Sequence, residues 1–140
     1  MIAFVFPGQG SQSPGMGKDL YDNVPSAKEI FQIADKALGF SLTELIFNGT
    51  AEDLQETINA QPAILTVSMA MLKTKNIFPD IVAGHSLGEY SALVCAGVLD
   101  FSTAVSLVRF RGECMANAPA GGMSAVLGLS DTDIEKCLAK

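Results

Sequence analysis

The stretch Ile81-Val82-Ala83-Gly84-His85-Ser86-Leu87-Gly88 decides how this chain folds. Its first three residues are a short apolar run that predicts a strand, and Leu87 to Ala96 predicts a helix. Between them lies a nucleophile elbow, a strand-to-helix turn so tight that its central serine, Ser86, is held in a strained conformation. Glycine two places before and two places after the serine has a steric cause. A side chain at Gly84 or Gly88 would collide where strand and helix pass closest.

Upstream, Ile2 to Phe6 is another continuous apolar run, stopped by Pro7-Gly8, and predicts a buried strand of a mostly parallel sheet. A glycine-rich loop, Pro7 to Gly17, follows it. Pro25 opens a helix in which Ala27, Ile30, Phe31, Ala34 and Leu38 recur at three and four residues, with Gly39 as its C-cap. Ser41 with Glu44, and Thr50 with Asp53, are start signals for two short helices, the first running to Phe47. Gln61-Pro62 is read as the opening of the next helix, whose Ala63 to Lys75 is apolar almost all round and so buried on most sides.

Beyond the elbow, Asp100 caps a helix from about Phe101 to Asn117, which Pro119 to Gly122 ends. Met123 to Leu129 reads as a strand, and Ser130 with Asp133 caps a last helix. About three strands are few for a parallel sheet covered on both faces, so the sheet is expected to be incomplete.

Composition narrows the function classes. At 140 residues and 49% hydrophobic content the chain suffices for one domain with a real core. A net charge of −6 with scattered Lys and Arg argues against nonspecific nucleic-acid binding. No apolar run reaches the roughly 18 residues of a membrane span, and Met1 to Phe6 lacks the basic region of a signal peptide. Cys95, Cys114 and Cys137 are an odd set without CxxC spacing, read as reduced, buried small hydrophobes of a cytoplasmic protein.

Serine acyl chemistry needs a base, an oxyanion hole and a selector for the acyl group. The single histidine, His85, adjoins Ser86, and neighbouring side chains at a strand end point to opposite sides, so it is read as structural, packed or hydrogen-bonded behind the elbow. Three readings of the base stay open: a carboxylate or lysine serves, Ser86 is not a nucleophile, or the chain is the front of a longer enzyme. Arg111 lies with Ala104, Val108 and Met115 along an apolar helix face, which calls for an anionic partner, either a structural carboxylate or one of the substrate. Pattern alone favours the structural partner. Arg109, on the opposite side with Ser102, Ser106 and Glu113, predicts a solvated ion pair. The loop around Gln9 lacks the lysine and hydroxyl of a P-loop, whereas its flanking glycines suit a backbone donor for an oxyanion. The second donor would be the amide of Leu87.

FVFPGQGSQ at 4–12, INAQPAILT at 58–66, AGHSLGEYSALVCAG at 83–97 and FRGECM at 110–115 together resemble the malonyl-CoA:acyl carrier protein transacylases of fatty acid synthesis. The resemblance covers essentially the whole chain. It implies Ser86 as nucleophile, Gln9 and Leu87 as oxyanion donors, Arg111 as clamp for a malonyl carboxylate and Gln61 as an active-site residue. It also implies an α/β-hydrolase-like subdomain, here 1–120, and the start of an inserted ferredoxin-like subdomain, 121–140. Members run to about twice this length, with the catalytic histidine and the rest of the sheet downstream. Malonyl-CoA and acyl carrier protein are then the expected partners, with no metal and no cofactor. Two other readings are an acyltransferase domain of a polyketide synthase, against which Met1 leads straight into the first strand, and a serine esterase, against which the charged Arg111 is poorly matched to an apolar ester.

Overall fold

Two parallel strands meet in register at their carboxyl ends, and that meeting places everything that follows. In the computed structural model, which describes residues 1–75, 77–119, 121 and 126–139, β1 (Ala3–Phe6) pairs with β2 (Ile81–Gly84), Phe6 opposite Gly84. The glycine loop leaving β1 and the elbow leaving β2 are therefore neighbours. Between the strands come α1 (Lys18–Asn23), α2 (Pro25–Leu38), α3 (Leu42–Asn48), α4 (Ala51–Gln55) and α5 (Thr57–Lys73). After β2 come α6 (Gly88–Cys95), α7 (Phe101–Ala116) and α8 (Asp131–Leu138).

Helix α5 is the hub. It packs on α7, α2, α6 and α4, while α6 lies against both strands. Its near-complete apolarity fits this position, with Ala63, Leu65 and Ala70 fully buried and Ile64 and Met69 nearly so. The core continues through Ala27, Phe31 and Ala34 of α2, Leu42 and Ile46 of α3, and Val105 and Val108 of α7. The spacing on α2 thus buries the face it predicts, and Gly39 ends that helix in the left-handed region at φ 75°.

The caps divide into complete and half-complete cases. Thr50 and Asp53 form a full capping box. Ser41 accepts from the Glu44 amide at 3.1 Å, but the Glu44 carboxylate turns instead to Asn48 Nδ2 at 2.9 Å, so the reciprocal bond is absent. Asp100 Oδ1 accepts from the Thr103 amide and the Ser102 hydroxyl, both at 3.0 Å, and these bonds hold its carboxyl below the usual range.

Four expectations are corrected. Helix α5 begins at Thr57, so Pro62 lies inside it and does not open it. Helix α1 has no counterpart in the sequence reading: it has no buried residue and no side-chain cap, and is held by Tyr21, whose ring stands edge-on to Phe31 and Phe47 at centroid distances of 5.5 and 5.3 Å. Of the expected strand Met123 to Leu129, residues 123–125 lie outside the described residues. Val126 to Leu129 is irregular, exposed and turned by Gly128 at φ 79°, with no neighbouring strand to pair with among the described residues. Lastly, all three cysteines are free, but Cys114 and Cys137 are exposed, because each falls on the outward side of its helix; Cys95 alone is partly buried, and burial raises its thiol pKa.

Candidate functional site

Ser86 has φ 51°, the one non-glycine residue in the left-handed region among the described residues. Such a conformation costs on the order of 1–3 kcal/mol and persists only where the surroundings enforce it. Here they do. A Cβ on Gly84 would lie 2.0 Å from the carbonyl of Gly88, and one on Gly88 would lie 2.3 Å from the carbonyl oxygen of Phe6. The strand, the turn and the first residue of α6 are in backbone contact, and the serine side chain is left exposed.

The glycine loop is pinned against this turn. The His85 amide donates to Phe6 O at 3.1 Å, and a Cβ on Gly8 would meet His85 Nδ1 at 2.7 Å, so the imidazole lies across Gly8. His85 is exposed and packs over the glycine loop, not behind the elbow, because the turn carries it along that loop. Its ring makes no hydrogen bond to Ser86 among the described residues. Within the loop, Gly10 at φ 107° and bonds from the Gly10 amide to Gln12 Oε1 (2.8 Å) and from Ser11 Oγ to Gly8 O (2.9 Å) fix the backbone. The amides of Gln9 and Leu87 are not committed to any cap, turn or ladder of the described residues.

From the opposite side, α7 delivers Arg111. Nη2 donates to Ser86 Oγ at 3.1 Å and Nη1 to Gln61 Oε1 at 2.6 Å, while the guanidinium carbon sits 5.7 Å from the Tyr90 ring centre. Among the described residues no carboxylate lies within 4.0 Å of it, so the structural ion pair that the pattern favours is not formed. Gly112 makes the approach possible, since a Cβ there would lie 2.8 Å from the Cα of Ile58.

Gln61 is fully buried. Its Nε2 donates to Thr57 Oγ1 at 2.9 Å and contacts Met115 Sδ at 3.3 Å, and Thr57 Oγ1 donates in turn to Gln9 Oε1 at 2.8 Å. The fold therefore brings Ser86, Arg111, Gln61 and Gln9 into one constellation. Thr57 and Tyr90 join it, although the sequence does not single them out as site residues. Arg109 makes its expected ion pair with Glu113 at 3.0 Å, yet it is only 24% exposed and also donates to Ile58 O at 3.2 Å and Asn59 Oδ1 at 2.9 Å.

An exposed, strained serine, two uncommitted amides and a guanidinium with no carboxylate partner among the described residues are groups that acyl-transfer chemistry can use. Comparison with known proteins agrees: residues 3–139 match the family model described as acyl transferase domain. The chain belongs to that family. It is 59% identical to the malonyl CoA-acyl carrier protein transacylase of Bacillus subtilis over 134 residues, which are 91% of this chain and 42% of that protein. The crystal structure of an acyl carrier protein S-malonyltransferase from Vibrio cholerae superposes with a TM-score of 0.89 at 46% identity, covering 98% of this chain and 47% of that one. A malonyl-transacylase in complex with a type II polyketide-synthase acyl-carrier protein matches at 42% identity and TM-score 0.84, covering 98% and 47%. This acyltransferase chain spans somewhat less than half the length of these relatives, and shares their mixed α/β architecture.

Proposed function

We propose that the protein carrying this chain moves a malonyl group from malonyl-CoA to acyl carrier protein, in fatty acid synthesis, through an ester on Ser86. The observation that carries the reading is Arg111 Nη2 3.1 Å from Ser86 Oγ, a cation with no carboxylate partner among the described residues, held at the elbow serine. Ser86 Oγ attacks the thioester carbonyl to form a C–O bond and a tetrahedral oxyanion, which collapses as the C–S bond breaks and CoA leaves as the thiol with the serine's proton. The phosphopantetheine thiol of acyl carrier protein then attacks the ester and restores the serine hydroxyl. The amides of Gln9 and Leu87 receive the oxyanion at both steps. Arg111, oriented by Gln61, takes the distal carboxylate of malonyl in a bidentate contact.

The base is proposed to be a group outside residues 1–140, because the one imidazole of the chain lies across Gly8 and not on Ser86. CoA and phosphopantetheine act as carriers of substrate, with no further cofactor or metal. The α/β-hydrolase-like description of residues 1–120, the ferredoxin-like start at 121–140 and a cytoplasmic location belong to the same reading; no helix among the described residues is long and apolar enough to cross a membrane.

Intact-mass measurement after exposure to malonyl-CoA tests the reading. A single malonyl adduct is expected on the protein carrying the chain and none on its Ser86→Ala variant. An adduct of equal stoichiometry on the variant would sink it.

A further inference from the structure

We propose that Thr57 is a positioning residue that ties the acyl-carboxylate clamp to the oxyanion loop, a role that rests on the transacylase reading above. Donor capacity sets the direction of the bonds that link them. A guanidinium has donors only, so the Gln61 atom 2.6 Å from Arg111 Nη1 must be the amide oxygen. That turns Gln61 Nε2 toward Thr57 Oγ1 at 2.9 Å, where the hydroxyl must accept. The hydroxyl has one proton left to place, and it goes to Gln9 Oε1 at 2.8 Å. Arg111 thereby fixes the polarity of a chain of bonds that ends on the side chain of the residue whose own amide would meet the oxyanion.

The link is specific to an oxygen at this position. Thr57 is the first residue of α5 and Gln61 the fifth, so the two face each other one turn apart. Gln9 belongs to an exposed loop whose only tie to α5 in this chain of bonds is the threonine hydroxyl. Valine has the same shape as threonine but neither accepts nor donates. It would release the Gln9 side chain and leave buried Gln61 Nε2 with the weak sulfur acceptor alone. Loosened by a fraction of an ångström, the Gln9 amide would serve every acyl group less well. Gln61 free to turn its amide would weaken the preference for an acid-bearing one.

The test compares Thr57→Val, Thr57→Ser and Gln9→Ala in the protein carrying this chain, with two independent readouts. Hydrogen exchange of the Gly10 backbone amide, the loop amide bonded to Gln12 Oε1, is expected to quicken at least about tenfold in Thr57→Val and in Gln9→Ala, with near wild-type protection in Thr57→Ser and no further loss when Thr57→Val is added to Gln9→Ala. Acylation of Ser86 at saturating malonyl-CoA is expected to slow about tenfold or more in Thr57→Val, with a smaller loss for acetyl-CoA and recovery in Thr57→Ser. Unchanged loop exchange in Gln9→Ala or in a folded valine variant, or a folded valine variant acylated at the wild-type rate, overturns the proposal. Absence of any Ser86 adduct in the wild type overturns the transacylase reading instead, and the exchange measurement then decides the role of Thr57. Gln9→Ala breaks the same bond from the solvent side, so its loop exchange is decisive even if Thr57→Val does not fold.

Discussion

Arg111 spends two of its donors on neutral acceptors, Ser86 Oγ and Gln61 Oε1, and stacks near Tyr90. A half-buried cation with that set of partners has electrostatic capacity left for an incoming anion, and a carboxylate would gain two charge-assisted bonds by replacing the serine contact. Arg111→Ala is therefore expected to lower malonyl transfer at least about tenfold, the worth of about 1.5–3 kcal/mol, while acetyl transfer falls less or rises. Parallel assays with both thioesters check this, and equal losses would mark the arginine as structural. The glycines of the elbow give a second residue-scale prediction. A Cβ on Gly84 would overlap the Gly88 carbonyl at 2.0 Å, and that atom is backbone, unable to swing aside. Gly84→Ala is expected to lower thermal stability and to abolish Ser86 acylation together, read by calorimetry and intact mass. Both residues are legible in the sequence, because a charge on an apolar face and a small residue beside a serine turn are local signals. Thr57 is not. Its partner is Gln61, four residues on, and reading the helix as starting at Gln61-Pro62 hides the fact that the two share one face.

That misplaced start shows how packing overrides a local rule. Proline favours the first turn of a helix because it lacks an N–H and its ring crowds the carbonyl four residues back. At position six of α5 it leaves Ile58 O without its helical donor, and Arg109 Nη1 supplies one from α7 at 3.2 Å, bonding Asn59 Oδ1 at 2.9 Å with the same nitrogen. The arginine that the sequence places on a solvated face is thus a splint for α5 where Pro62 interrupts its ladder, and the ring of Phe40 covers it at 5.3 Å. Arg109→Ala is expected to destabilise the fold by about 1.5–3 kcal/mol, more than an exposed ion pair would account for. Chemical denaturation checks it. Glu113→Ala, which removes only the partner in the ion pair, is expected to cost under about 1 kcal/mol. Elements with strong periodicity, such as α2, and with a cap, such as α7, are legible close to their true bounds, and the cap of α4 marks its start. Helix α1 is not, since its support is the tertiary contact of Tyr21 and nothing in its own six residues announces it.

At the scale of the whole molecule, two paired strands carry a site that a larger sheet would normally hold rigid. Val5 is 75% exposed and Ile81 51%, and beside β2 and α6 an open trough of about 540 Å3 is lined by Val82, Gly84, Tyr90 and Leu93. On the proposed function, these exposed apolar faces leave the strand side of the site uncovered in residues 1–140 taken alone. The base is the sharper deficit. His85 is the only imidazole, and it lies across Gly8 where it does not meet Ser86 Oγ. Removing the base from a serine site of this kind costs several orders of magnitude in rate even when the oxyanion donors remain. Residues 1–140 expressed alone are therefore expected to turn over malonyl-CoA far below the 1–1,000 per second or so that is usual for enzymes. A steady-state assay on chain verified by intact mass checks this, and turnover within that range would mean that these residues hold a base of their own. On the proposed function, adding in trans the segment of the Bacillus subtilis relative that this chain does not cover is expected to restore turnover, and failure to do so would count against a base outside residues 1–140. The restored activity should vanish when Ser86 of this chain is replaced by alanine, the outcome expected if the elbow serine is the nucleophile.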